Sequence, residues 1–172
     1  NQARISNGVS KSYAMTGWRI GYATGPLDLI NAINKLQSQM SSCPSSVSQA
    51  AAAFALTADQ SGVTRTVEVY RARRDRAHEL INAIPELSCT LPDGAFYLYP
   101  SCAGAIGKTT PDGKTIETDL DFGLYLLDSA GVASVHGAAY GLEPYFRIST
   151  ATSMEEIEAA CGKIAAACAA LS

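Results

Sequence analysis

The hydrophobic period of this chain changes sharply at Leu87, and that change limits the folds open to it. Between residues 26 and 84 apolar residues recur at offsets of three and four, whereas from Leu87 the segment SCTLPDGAFYLYP alternates. The first spacing lines one stripe of a helix and the second lines one face of a strand, so helices and sheet must share the core. After Gly25-Pro26, with proline in a first helical turn, Leu29, Ile33, Leu36 and Met40 form one stripe. Pro44 opens a second helix, SSVSQAAAAFALT, whose alanine density predicts close packing in an interior. A third is predicted from about Gly62 to Ile84, with Val63, Val67, Tyr70, Ala77, Ile81 and Ile84 on one side and RARRDR, residues 71–76, on the other.

Downstream of the change, the Pro-Asp-Gly turn predicts two short strands in a hairpin-like arrangement. Residues 101–118 are rich in Gly, Thr, Lys and Pro and read as a flexible insertion. Their fragment AGAIGKTT fails as a phosphate loop, because Cys102 stands where the motif needs its first glycine and Thr110-Pro111-Asp112-Gly113 stands where a helix should follow. A helix at 119–130, strands near 132–135 and 145–150, and a final helix complete the pattern. In that last helix Ser153 and Glu156 have capping-box spacing, and Ile157, Cys161, Ile164, Cys168 and Leu171 form its stripe. The fold class expected is therefore α/β, with early helices and a small sheet covered by later ones.

Composition narrows the function classes. A net charge of -3 gives no electrostatic reason to bind nucleic acid, and arginines interspersed with Glu68, Asp75 and Glu79 read as spaced ion pairs on an exposed helix face. No apolar run reaches the roughly 18 residues of a membrane span, and NQARISNGVS lacks the regions of a signal peptide, so no membrane partner and a cytoplasmic location are expected. Five cysteines without a CxxC pair, together with two histidines, show no metal-ligand spacing.

Chemistry concentrates in NGVSKSYAMTGWRIGYATGP, residues 7–26. An isolated lysine is usually solvated surface, but Lys11 follows an Asn-Gly turn signal, lies between Ser10 and Ser12, and is followed eight residues later by Arg19. A neighbouring cation or partial burial favours a neutral amine able to attack a carbonyl, and a guanidinium fork matches phosphate oxygens. The residues therefore permit a phosphate-bearing carbonyl ligand. In YFRIST, Phe146 and Ile148 share one strand face, and Tyr145, Arg147 and Ser149 share the other. Arg147 thus points away from the apolar side, placed either to hold a carboxylate ligand or to pair with a surface acid. His136, Tyr140, Tyr97 and Tyr99 carry no assignable chemistry and read as structural. Trp18 reads as a core or pocket-wall residue.

The segment SNGVSKSYAMTGWRIGYATGP resembles the lysine motif of class I, fold-type I pyridoxal-phosphate-dependent aminotransferases, most closely the bacterial aspartate aminotransferase branch. PDGAFYLYP and GAAYGLEPYFRIST extend the resemblance along the chain. It implies that the chain is a C-terminal fragment, with residues 1–61 the end of the large cofactor-binding domain and 62–172 an α+β small domain; the initial Asn agrees with a truncated piece. It further implies that Lys11 forms a Schiff base with pyridoxal phosphate and moves the substrate proton, that Arg19 binds the cofactor phosphate, and that Arg147 clamps the substrate carboxylate. Ser10 is a weaker phosphate candidate, because the further hydroxyl that some members carry three residues before the lysine is replaced by Gly8. The substrates implied are an amino acid, foremost aspartate, and a 2-oxo acid, in a homodimeric parent. Aromatic or prephenate specificity is the alternative. The upstream acid, Asn and Tyr that hold the cofactor ring in such proteins have no counterpart before Lys11, so a catalytically inert folded module stands as the second reading of the chain by itself.

Overall fold

Two glycines and two buried aliphatic residues determine how the chain folds around Lys11. The computed structural model describes residues 5–172, and the chain divides into two units, Asn1–Arg65 and Thr66–Ser172. In the first, β1 (Ile5–Gly8) pairs antiparallel with β2 (Gly21–Thr24), in a register from Ile5 opposite Thr24 to Gly8 opposite Gly21. A Cβ on Gly8 would stand 3.2 Å from the Ile20 carbonyl oxygen, and one on Gly21 would stand 3.3 Å from that of Asn7. The strands close tightly at this end because neither residue has a side chain. Val9 and Ile20, which enter and leave the connecting loop, are both buried with Ala52 of α2 (Ser46–Thr57), and Tyr13 and Met15 pack against them.

The helix expected after Pro26 is α1 (Leu27–Met40), but none of its residues is buried. Its stripe lies open, from 37% exposure at Leu29 to 82% at Met40. The alanine-dense helix finds no interior among the described residues, and its face around Ala50 to Ala55 lies largely open. Only Ser48 and Ala52 of α2 are buried, while Val47 and Phe54 face outward. Both helices present apolar faces that no other described residue of the unit covers.

In the second unit, β3 (Tyr97–Leu98), β4 (Val135–His136) and β5 (Phe146–Ser149) form an antiparallel sheet in the order β3-β5-β4. The carboxyl-terminal half of α3 (Ser61–Asn82), α4 (Asp119–Ala130) and α5 (Met154–Ala169) bury Ile81, Phe122, Leu126 and Ile164 in one core with Leu98 and Phe146 of the sheet. Phe122 meets Phe146 edge-on, with ring centroids 5.2 Å apart. The expected α5 stripe, Ile157 to Leu171, is buried throughout. At its start the Ser153 hydroxyl accepts from the Glu156 N–H at 3.2 Å. The full reciprocal capping box falls on α4 instead: Thr118 Oγ1 accepts from the Asp121 N–H, and Asp121 Oδ2 accepts from the Thr118 N–H. On α3, Arg74 pairs with Asp75, and Arg76 pairs with Glu79 and with Glu158 of α5.

Two further expectations are corrected here. Around the Pro-Asp-Gly turn there is no second strand, and Ser88 meets Ser101 at a single bridge. The Asn82 side chain accepts from the Cys89 N–H at 2.9 Å and donates to its carbonyl at 3.0 Å, which satisfies that backbone without a strand partner. Residues 101–118 are an anchored segment rather than a flexible insertion. Ala105 and Ile116 are buried, and Thr109 exchanges both backbone hydrogen bonds with Ser172. A Cβ on Gly104 would stand 2.7 Å from the Glu86 carbonyl oxygen, and the Glu86 carboxylate pairs with Lys108 at 2.8 Å. Among the described residues no helix is long and apolar enough to cross a membrane.

The Lys108 ammonium bonded to Glu86 holds that carboxyl below its ordinary value of 4.5. A depressed carboxyl pKa contributes stability that is complete at neutral pH and is lost as pH falls through the folded-state value. Glu86→Gln is therefore expected to flatten the fall in denaturation midpoint below about pH 4.5, measured by urea unfolding across pH 3 to 7. The open α1 stripe carries a separate expectation. The chain should enhance the emission of an apolar-surface dye, and Leu36→Gln with Met40→Gln should lower that emission; an unchanged signal would mean that the stripe is covered in solution.

Candidate active site

In the first unit, the residues from Val9 to Ile20 close the β1–β2 hairpin and carry Ser10, Lys11 and Arg19 together. Each of these groups lies beside an anchor. Ser10 follows buried Val9, Lys11 comes one residue later on the exposed side, and Arg19 immediately precedes buried Ile20. Between the anchors the loop is held by its own backbone: Tyr13 donates to the Val9 carbonyl, Ala14 to that of Lys11, and Trp18 to that of Met15, each at 3.2 Å. The Tyr13 hydroxyl donates to Gln60 Oε1 at 2.8 Å and ties the loop to the residues that follow α2. Trp18 is 44% exposed, which corrects the expectation of a core position and leaves that of a surface wall.

The backbone at Arg19 is left-handed, with φ 52 and ψ 49, and Ala14 also has positive φ. A side chain on such a backbone costs about 1 kcal/mol, and glycine would avoid the cost. Arg19 occupies it at the end of the Thr16–Trp18 turn, where its Nη1 donates to the Thr16 carbonyl at 3.3 Å. Strained positions of this kind occur where a particular side chain must project from a particular point. The loop thus offers an amine, a guanidinium and a hydroxyl, a donor set that suits a phosphorylated aldehyde.

In the second unit, Arg147 lies on β5, the central strand. Phe146 is fully buried, so alternation sends the next side chain to the opposite face. There the guanidinium carbon lies 4.4 Å from the ring centroid of Tyr97 and 4.8 Å from that of Tyr140. The edge-strand arginine paired with an acid is not what forms. No salt bridge of Arg147 occurs among the described residues, and two aromatic faces take the place of a carboxylate.

Tyr140 is set by the HGAAYG turn. The Gly137 N–H donates to the Tyr145 carbonyl at 2.7 Å, and a Cβ on Gly137 would fall 2.0 Å from the Leu142 carbonyl oxygen, so only glycine fits. The Tyr99 hydroxyl donates to the Gly137 carbonyl at 3.3 Å. Tyr99 stacks on Tyr145 at 5.5 Å and meets Tyr140 edge-on at 6.3 Å. Burial, with the Asp119 charge next in size, pushes the Tyr99 phenol up from its ordinary value. Tyr97, Tyr99 and Tyr140 read as merely structural in the sequence. The signal available was pairing: Tyr97 lies opposite Ser149, which shares a strand face with Arg147.

A concavity of about 720 Å³ in the second unit lies among the 110–116 segment, α4 and α5 and includes neither Arg147 nor its tyrosines. Three of its charged residues serve local structure: Lys114 pairs with Asp112, and Asp121 caps α4.

Comparison with known proteins gives one consistent assignment. The family described as aminotransferase class I and II matches residues 2–164. The aspartate aminotransferase of Rhizobium meliloti strain 1021 is 54% identical over 98% of the chain, and an aspartate/prephenate aminotransferase of Cereibacter sphaeroides is 49% identical over 96%. The crystal structure of the Rhizobium meliloti aspartate aminotransferase superposes with a TM-score of 0.95 over 98% of the chain, and an alanine aminotransferase from Pyrococcus furiosus, 28% identical, superposes with 0.83 over 96%. The chain spans about two fifths of the length of these relatives, 41% and 42% of the two sequences and 42% of each structure. With a fold-type I architecture, the chain belongs to the class I and II aminotransferase family.

Proposed function

We propose that this chain is the carboxyl-terminal part of an aminotransferase that moves an amino group from an amino acid, foremost aspartate, to a 2-oxo acid. The observation that carries this reading is one hairpin loop, clamped at both ends by buried residues, that presents Lys11 and Arg19 on either side of a self-bonded turn. Lys11, Arg19 and Ser10 would hold pyridoxal phosphate, and their amine, guanidinium and hydroxyl match its aldehyde and phosphate. When bound, the cofactor supplies an electron sink for the carbanion at the substrate α-carbon.

The protein's own contributions follow from residue chemistry. Lys11 Nζ would hold the cofactor and, once released from it, would accept and return the proton at the substrate α-carbon, a role that needs the neutral amine. Arg19 neutralises phosphate charge from a backbone that fixes where its side chain departs. Arg147 receives the α-carboxylate. Its planar fork offers parallel N–H donors, and its ring partners orient the plane while consuming none of them.

The relatives named aspartate aminotransferase support aspartate as donor, and those named aspartate/prephenate aminotransferase keep prephenate as the competing oxo acid. A homodimer in the cytoplasm is part of the same proposal. The uncovered stripe of α1 and the two-fifths coverage favour a second reading for the chain by itself, a folded module that acts only when joined to the rest of such a protein.

Borohydride reduction in the presence of pyridoxal phosphate, followed by peptide mapping, is expected to place the label on Lys11. Label scattered over several lysines would favour the inert module. In the whole protein, Lys11→Ala should lower aspartate–2-oxoglutarate transamination at least about a thousandfold. A Lys11→Ala protein that still transaminates would sink the assignment. Arg147→Lys should raise KM for both substrates about tenfold or more through loss of the fork.

A further inference from the structure

Asp119 is the one buried carboxylate of the second unit that the chemistry above leaves unused. It is 1% exposed, at the first position of α4. Its Oδ2 accepts from the Ala138 N–H at 3.0 Å, and its Oδ1 is buried with no hydrogen-bond partner among the described residues. A buried carboxylate with one orphaned oxygen is costly, and such groups persist where their other contact matters. Stabilising the start of α4 does not explain it. That end is already closed by the reciprocal box of Thr118 and Asp121, and Asp121 already places a negative charge in the first turn that it shares with Asp119. The contact Asp119 does make is with the turn Gly137–Tyr140, and that turn delivers the Tyr140 ring to Arg147.

We propose that Asp119 is a positioning residue for substrate carboxylate binding, acting through Ala138 and Tyr140 on the plane of Arg147. This rests on the reading of Arg147 as the carboxylate clamp. The chain of contacts is continuous. The Asp119 carboxylate pins the Ala138 N–H, the pinned turn fixes Tyr140, and Tyr140 with Tyr97 orients the guanidinium. Without the pin, the turn keeps its bonds from Gly137 to Tyr145 and from Tyr99 to Gly137, so the fold survives while one face of Arg147 loses its fixed support. The effect is one of binding rather than of proton transfer.

The test uses the whole protein loaded with cofactor. Asp119→Ala should raise KM for the amino acid and for the oxo acid about tenfold, the scale of one hydrogen bond, and should leave kcat within about twofold. Maleate, a dicarboxylate that cannot react, should bind about tenfold more weakly by calorimetry. Asp119→Asn keeps an oxygen acceptor for the Ala138 N–H and should restore both values to within about twofold, whereas a pure charge effect would not be restored. Asp121→Ala, which weakens the α4 cap and leaves the turn alone, should lower the melting temperature without moving KM. If Asp119→Ala does not fold, Tyr140→Leu tests the same link and should show the same rise in KM and loss of maleate affinity. Unchanged KM and maleate affinity in Asp119→Ala or Tyr140→Leu, beside a large loss in Arg147→Ala, would overturn this inference alone. Unchanged values in Arg147→Ala as well would overturn the clamp on which it rests.

Discussion

Burial of Phe146 beneath Phe122 is the contact on which the second unit turns, because it fixes the face of the central strand. A strand alternates strictly, so once Phe146 is committed to the core, Arg147 must leave by the other side. A register slip of one residue would turn the guanidinium toward the core of Leu98, Ile81 and Ile164, at a large desolvation cost. The same packing orders the helices. Phe122 holds α4 against the sheet, and α4 begins at Asp119, beside the turn that carries Tyr140. Core packing and site geometry are thus one constraint seen from its two faces.

The first unit solves the opposite problem, which is to hold an exposed loop in place with little core. Among its described residues only Val9, Ile20 and Ala52 are buried as a hydrophobic cluster. They act because they lie at the loop's two ends, next to Ser10 and Arg19, where a small burial removes much of the loop's freedom. Glycines at positions 8 and 21 let the strand ends meet, and three internal backbone bonds shape the span between them. Apart from Ala52, the apolar residues of α1 and α2 add little to this loop within the unit and lie largely open.

What the sequence made legible follows from the range of each interaction. The stripe of α5 and the alternation at Phe146 and Arg147 are local periodicities, and both appear in the structure as read. The order of the 101–118 segment was hidden. Its glycines and threonines resemble a loop, whereas its anchors, Ser172, Glu86 and the buried site of Ile116, are supplied from far along the chain. The missing strand after Leu87 has the same cause, since Asn82 intercepts the Cys89 backbone by a side-chain contact that no hydrophobic period reveals. On α2, alanine density fixed the helix but not its burial, because small residues fit an interior without requiring one. Lys11 and Arg19 were legible as a motif. Their anchoring at Val9 and Ile20 was not, because it depends on Ala52 arriving from another helix.

The surroundings of Arg147 show why a receiving arginine is better held by rings than by an acid. A carboxylate partner would occupy the in-plane N–H donors, and a ligand would first have to displace it. Tyr97 and Tyr140 instead engage the π-faced cation through its delocalised plane, at 4.4 and 4.8 Å, and contribute attraction without accepting those hydrogen bonds. The guanidinium thereby loses rotational freedom in advance while keeping its fork for a ligand, and this lowers the ordering cost of binding. The arrangement demands that both rings be fixed independently. Tyr97 is fixed by strand pairing opposite Ser149. Tyr140, on a short turn with no strand to hold it, depends on hydrogen bonds from outside, and Asp119, Tyr99 and Tyr145 reach that turn.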